Sequence, residues 1–237
     1  MEIINTDALQ HIDTLASHTF DMVLLDPDYQ DWEALLAAGL LDQAMRVLKP
    51  SGNVLCFTKQ PFDFKLRVAC EPWFRREITW TFDNGGAWCS PKMPLISTQK
   101  IYWLTKSKDF YFNPRTGLQY SEGTRNFKRK SKVFGEYEAE GQAFKKSEEG
   151  VWLRDHLHFN KPNSGKIPAK PQELIDVLVR CFSPAGGLVL DPFAGTGTTV
   201  AAALKQGRDV IACEKDADRA HALIDRYALE AQEEKRA

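Results

Sequence analysis

Leu188-Val189-Leu190-Asp191-Pro192-Phe193-Ala194-Gly195-Thr196-Gly197-Thr198-Thr199 reads as a short buried strand, an acidic strand end, a turn of small residues and a helix start. Small residues let a backbone turn sharply and come close to a ligand. Thr198 is placed to cap the helix, whose positive end favours an anionic group. The following strand, residues 209–213, runs into Glu214. A carboxylate there can accept hydrogen bonds from both hydroxyls of a ribose. Strand, glycine turn, helix, strand and terminal acid in this order point to a nucleoside site. The plainer alternative is a helix-to-strand packing turn with Glu214 on the surface.

Far upstream, Met22-Val23-Leu24-Leu25 runs into Asp26-Pro27-Asp28-Tyr29, a second apolar strand that ends on an acid and a tight turn. Open α/β sheets keep their ligands at such strand ends. Residues 31–48 carry apolar side chains at 35, 36, 40, 41, 45 and 48, a helical spacing closed by Pro50 and Gly52. Strands are expected at 20–25, 53–58, 78–82, 101–105, 187–190 and 209–213, and helices at 31–48, 61–70, 171–182, 198–206 and 216–229. Residues 230–237 read as a frayed polar tail. The alternation predicts an α/β fold: a mostly parallel twisted sheet with helices on both faces. Residues 83–160 break the pattern with Gly85-Gly86, prolines, scattered aromatics and many charges. That length exceeds an ordinary connection, so the chain divides into a core of 1–82 and 161–237 and an inserted segment of 83–160.

At 237 residues, 43% of them hydrophobic, the chain buries a core without staples. The run 34–41 falls far short of a bilayer span of ~20 residues. Five cysteines, an odd number with no Cys-x-x-Cys spacing, argue against a disulfide framework and for a cytoplasmic protein. No metal site is expected, and His156 and His158, on one side of a short strand, read as local packing. Trp80, Trp88 and Trp103 read as core or wall residues. A net charge of −1 gives no global pull on nucleic acid. One stretch is locally basic: Arg115, Arg125, Lys128, Arg129, Lys130 and Lys132 against the single acid Glu122, with Phe127 among them. Its cations suit phosphate contact.

Asp26-Pro27-Asp28-Tyr29 resembles the Asp-Pro-Pro-Tyr motif of amino-group DNA methyltransferases, which modify adenine N6 or cytosine N4. Asp191-Pro192-Phe193 with its glycine turn is similar to the cofactor turn of S-adenosyl-L-methionine-dependent methyltransferases. The motif order, catalytic turn before cofactor turn with a long insertion between, resembles the β class. Asn5-Thr6-Asp7-Ala8-Leu9, Arg46-Val47-Leu48-Lys49-Pro50-Ser51-Gly52 and Lys170-Pro171 are similar to further family segments. Two departures stand out: Asp28 replaces the second proline, and Lys166-Ile167-Pro168-Ala169 lacks the His-Pro common before Lys-Pro.

The resemblance implies a Rossmann-like methyltransferase fold, S-adenosyl-L-methionine as cofactor and DNA as partner, with a homodimer as a further expectation. It assigns Asp7, Asp26, Lys170, Asp191, Phe193, Ala194, Gly195, Thr196, Gly197, Thr198 and Glu214 to the cofactor. It assigns Asp26, Pro27 and Tyr29 to catalysis, and the inserted Arg125, Lys128, Arg129, Lys130 and Lys132 to nucleic acid. The residue types suit the chemistry. An exocyclic amino nitrogen is a poor nucleophile because its lone pair is delocalised into the ring. Acceptors aimed at its two hydrogens, the Asp26 carboxylate and the Pro27 carbonyl, favour a pyramidal nitrogen. Tyr29 can stack on a base taken out of the duplex. An acidic first motif residue points to adenine N6. Cytosine N4, RNA or a free nucleotide, and a catalytically silent cofactor-binding partner subunit are the alternatives.

Overall fold

Apart from Asp21, the run Phe20–Leu25 is apolar, and all six residues are buried, as a strand covered on both faces requires. In the computed structural model, which describes residues 1–84, 92, 94–119, 149–162 and 169–234, this run is β2 of an eight-stranded sheet. The other strands are β1 (Glu2–Asn5), β3 (Leu48–Thr58), β4 (Phe74–Thr81), β5 (Thr98–Leu104), β6 (His156–His158), β7 (Leu188–Asp191) and β8 (Asp209–Glu214). Their order is β1-β8-β7-β2-β3-β5-β4-β6, and β5 alone runs antiparallel to its neighbours among the described strands.

Helices cover both faces. Met22 and Leu24 pack in one cluster with Val177 and Leu178 of α5 (Gln172–Phe182), Val200 of α6 (Thr198–Lys205) and Leu223 of α7 (Ala217–Glu234). Val23 and Leu25 face the opposite cluster, with Ile12 of α1 (Ala8–Thr14), Trp32 of α2 (Trp32–Ala37), Leu40 of α3 (Leu40–Val47) and Leu66 of α4 (Asp63–Ala69). Each such buried side chain contributes roughly 1.5–3 kcal/mol of gross hydrophobic stabilisation. No helix among the described residues is long and apolar enough to cross a membrane.

The expected α/β class and parallel sheet are present, with four corrections. The single helix expected at 31–48 is two, because Gly39 turns left-handed at φ 82° and separates α2 from α3. β3 begins at Leu48 rather than at 53, since Leu48 pairs with Phe20 before the register shifts to Met22–Asn53. The final helix continues to Glu234 through the expected tail. Edge strand β1 and helix α1 lie at a terminus whose elements the periodicity did not separate.

Both described ends of the 83–160 stretch are built into the sheet. β5 pairs with β3 and β4, and β6 adds to β4. Arg115 and Trp152 form an antiparallel bridge, so the chain leaves and returns at one place.

Gly197 carries the tightest constraint in the glycine turn. It is left-handed at φ 79°, and a Cβ there would lie 2.5 Å from Leu223 Cδ2. Left-handed strain and overpacking each cost about 1–3 kcal/mol. Gly197→Ala is therefore expected to lower the thermal midpoint by several degrees, measured by calorimetry, and an unchanged midpoint would contradict this packing.

Candidate active site

Strands β2 and β7 are parallel neighbours, with Met22 opposite Val189 and Val23 opposite Leu190. Their carboxyl ends therefore lie side by side, which brings the Asp26 and Asp191 turns together across the sheet. They open into one cleft of about 740 Å³. Asp26, Pro27 and Tyr29 line it from the first turn, Asp191, Phe193, Ala194, Gly195, Thr196 and Thr198 from the second. Asp7, Lys170 and Glu214 complete the residues expected there.

Gly197 is the exception and does not line the cleft: its Cα faces Leu223 and Tyr227 of α7, and its carbonyl accepts a 3.2 Å hydrogen bond from Tyr227 Oη. Gly195 is the glycine that opens onto the cleft, and a Cβ there would find no other atom nearer than 3.8 Å. The expected cap is also corrected. Gly197 occupies the N-cap of α6 without a side-chain bond, and Thr198 Oγ1 lies 3.2 Å from Thr196 Oγ1 instead.

The turn holds its own carboxylates in place. Glu214 accepts from the Gly195 amide through Oε2 and the Asp216 amide through Oε1, both at 2.9 Å, and is 7% exposed. Each oxygen keeps lone-pair capacity for another donor. Asp7 Oδ1 accepts from the Leu9 amide at 2.9 Å and the Gln10 amide at 3.3 Å, capping α1 at the cleft edge. Ala194 donates to the Cys213 carbonyl at 2.8 Å, which fastens the turn to β8.

Asp191 is 2% exposed and accepts from the Phe193 amide at 3.0 Å. Burial pushes its carboxyl up to about 6; Thr199 and the Phe193 amide pull it down, Asp26 and Glu214 push it further up. A carboxyl that holds its proton longer in the folded chain than in the unfolded one drains stability as pH rises between the two values. The window runs from about 4 to about 6, and the loss above it is at most about 3 kcal/mol. Asp191→Asn keeps an acceptor and removes the charge. Its thermal midpoint is expected to exceed that of the wild type at pH 7.5, with the gap closing below pH 4. A pH-independent gap would contradict the assignment.

In the first turn Pro27 is buried, whereas Asp28 is exposed and opens a 3₁₀ turn over Tyr29–Asp31. The Lys170 ammonium sits on the Asp26 carboxylate, 2.6 Å from Oδ1 and in contact with Oδ2. Lys170 lines the cleft as expected, and its ammonium is engaged by Asp26 of the first turn. Its Nζ also lies 4.8 Å from the Phe57 ring and 5.5 Å from the Tyr29 ring. Tyr29 donates its hydroxyl to Gln99 Oε1 at 2.7 Å. Burial first, then Asp26, raise the Tyr29 phenol well above its ordinary range, so it stays neutral.

Sequence reasoning missed Gln99, Lys59 and Lys161, all of which line this cleft. Gln99 carried no signal, because it stands between Thr98 and Lys100 in a polar strand start and only its burial sets it apart. Trp80 is a wall residue as expected, and its indole donates to the Phe159 carbonyl at 2.7 Å. Trp103 is buried and donates to Asn53 Oδ1 at 2.7 Å. His158 sits 3.0 Å from Thr81 Oγ1 and 3.3 Å from Asp83 Oδ2. No cluster of three or more metal-ligating side chains occurs among the described residues. Arg125, Lys128, Arg129, Lys130 and Lys132, with Trp88, lie outside the described residues.

A family model described as DNA methylase, of the N6/N4 class, matches residues 21–225. The chain belongs to this family. The methylase is 24% identical over 232 residues to the DNA adenine methyltransferase YhdJ of Escherichia coli K12, covering 90% of this chain and 77% of that one. It is 25% identical over 259 residues to the type II methyltransferase M1.MboII of Moraxella bovis, covering 92% of both. Among solved structures, its fold matches M1.HpyAVI in complex with SAM, at a TM-score of 0.65, 19% identity and coverage of 93% and 95%. It also matches the cytosine-N4-specific PvuII DNA methyltransferase, at a TM-score of 0.67, 14% identity and coverage of 92% and 83%. The sheet of the methylase thus has the architecture of DNA methyltransferases, with the two turns at its carboxyl edge.

Proposed function

We propose that this methylase uses S-adenosyl-L-methionine to methylate N6 of an adenine extruded from DNA. The observation that carries the reading is the shared cleft, in which Asp26, Pro27 and Tyr29 face the Asp191–Thr198 turn. The donor set fits the cofactor. Asp26, Asp191 and Glu214 put three carboxyl groups into one cleft, and Asp191 is held there against its own desolvation. Such a site suits a ligand that carries positive charge and sugar hydroxyls. Glu214 would take the ribose hydroxyls, Asp7 the adenine edge, and Asp191, Phe193, Ala194, Gly195, Thr196 and Thr198 the methionine side. When bound, the cofactor supplies an electrophilic methyl group on a positively charged sulfur.

The chain's own residues prepare the acceptor. The Asp26 carboxylate and Pro27 carbonyl accept the two amino hydrogens and free the nitrogen lone pair. Tyr29 stacks under the base and keeps its hydroxyl on Gln99, which fixes the ring plane. Lys170 fixes the Asp26 carboxylate by direct contact with its oxygens.

Adenine is chosen because the motif begins with an acid, whereas cytosine-N4 enzymes more often begin with Ser. The relatives named above include both adenine and cytosine-N4 enzymes, so the adenine reading rests on Asp26. DNA from cells expressing the protein, sequenced with modification-sensitive detection, is expected to carry N6-methyladenine in one context. Finding only N4-methylcytosine would overturn the base assignment. Asp28, exposed on the cleft rim, favours RNA as the second reading. Tritium transfer to duplex DNA, single-stranded DNA and RNA separates the two, and cofactor binding with no turnover on any of them would identify a silent partner subunit. A homodimer belongs to the same proposal, and light scattering that gives a monomer at working concentration would remove it.

A further inference from the structure

Five basic residues line the cleft: Lys59, Lys161, Lys170, Lys215 and Arg219. Lys170 is neutralised by Asp26. No ion pair of Lys59 or Lys161 occurs among the described residues, although Asp28 lines the same cleft. Both are half-buried. Lys59 Nζ stands over the Tyr29 ring, 5.6 Å from its centre. Lys161 Nζ lies 3.9 Å from the centre of the Phe82 ring.

Lys161 is also fixed from behind. Its amide donates to Asn84 Oδ1 at 2.9 Å, and its carbonyl accepts from Asn84 Nδ2 at 2.8 Å. Asn160 Oδ1 accepts from the Asp83 amide at 2.8 Å, and β6 pairs with β4 just before this point. The end of β4 and the chain after β6 are thus stapled into one platform that carries a cation to the cleft mouth. Burial, then Lys59 and Lys170, lower the affinity of the Lys161 amine for its proton. The fold therefore holds the Lys59 and Lys161 ammonium groups near one another with no ion pair for either among the described residues, an arrangement that an anion relieves.

We propose that Lys59 and Lys161 clamp the phosphodiester adjoining the extruded nucleotide, a DNA contact separate from the basic stretch at 125–132. This rests on the methyltransferase reading, because an extruded base carries its flanking phosphates to the pocket mouth. Phosphate contacts position a substrate and carry no base information. The clamp would hold the backbone while Tyr29 holds the base.

The test uses the full chain and a fluorescein-labelled duplex carrying the methylated context. Lys59→Gln, Lys161→Gln and the double variant are compared with Lys108→Gln, an exposed lysine beyond the opposite end of β5. The double variant is expected to keep the wild-type cofactor affinity and to lose DNA affinity on the order of tenfold, with the log–log salt slope reduced by about 1. Lys108→Gln should behave as wild type. A methylphosphonate beside the target adenine, which removes the backbone charge there, should weaken the wild type and leave the double variant unaffected. If the double variant keeps the wild-type salt slope while the wild type binds and methylates the duplex, the clamp is wrong and the methyltransferase reading stands. A parallel loss of cofactor affinity would mark a structural role and also overturn the clamp. A wild type that binds cofactor but no DNA would sink both.

Discussion

Asp26→Ala is expected to reduce methyl transfer on the order of 10²–10³-fold or more while cofactor affinity stays near that of the wild type. Asp26 stands at the end of β2, half-buried, with both carboxylate oxygens directed by Lys170. The variant removes the acceptor that would hold one amino hydrogen, an interaction realised fully only as the nitrogen becomes pyramidal. An effect of that kind lowers kcat and spares binding of the partner that waits on the other side. Asp26→Asn is the gentler control: it keeps the shape and leaves Lys170 facing a neutral amide. Single-turnover transfer measured with labelled cofactor, beside calorimetric cofactor titration, separates the two effects. An unchanged rate in Asp26→Ala would remove Asp26 from the chemistry.

Glu214→Ala is expected to do the reverse. The carboxylate at the end of β8 accepts from the Gly195 and Asp216 amides and keeps lone pairs free toward the cleft. A charge-assisted hydrogen bond contributes about 1.5–3 kcal/mol, so losing the ribose contacts should raise the cofactor Kd on the order of 10²-fold. The Gly195 amide also loses its partner, so the turn loosens, which adds to the same loss. At saturating cofactor, kcat should recover most of its wild-type value, because Glu214 is remote from the reacting nitrogen. Glu214→Gln should lie between the two. Titration calorimetry checks the Kd, and a wild-type value in Glu214→Ala would mean that the ribose lies elsewhere.

Asp26 and Asp191 were legible in the sequence for the same physical reason. A parallel strand buried on both faces reads as an unbroken apolar run, and the first acid after such a run marks a strand end. Leu188–Leu190 before Asp191 and Met22–Leu25 before Asp26 both have this form. Their adjacency was not legible from periodicity. It depends on pairing between residues 167 positions apart in the chain, as with the Leu188 amide on Asp21 Oδ2. Motif order supplied it through the family resemblance.

What was misplaced depends on side-chain geometry. Gly195 and Gly197 look alike as letters, and only the packing of Leu223 and Tyr227 assigns one to the cleft and the other to α7. Lys170, before α5, lines the cleft as expected, but its contact with Asp26 is one that no spacing rule contains. Gln99 meets Tyr29 from β5, in a region that read as insertion, because that strand is the antiparallel one and starts at the cleft edge. β6 was legible only as a short strand carrying His156 and His158, and three residues hold no sign that it joins β4.

The most direct measurement is a crystal structure of the protein with a non-reactive cofactor analogue and a duplex carrying the context found by sequencing. The expected result is a target base out of the helix, stacked on Tyr29, with its amino nitrogen between the Asp26 carboxylate and the Pro27 carbonyl. The analogue should face it from the turn at Gly195. A base that remains stacked in the duplex, or an analogue bound away from Glu214 and Gly195, would contradict a transfer across these two turns.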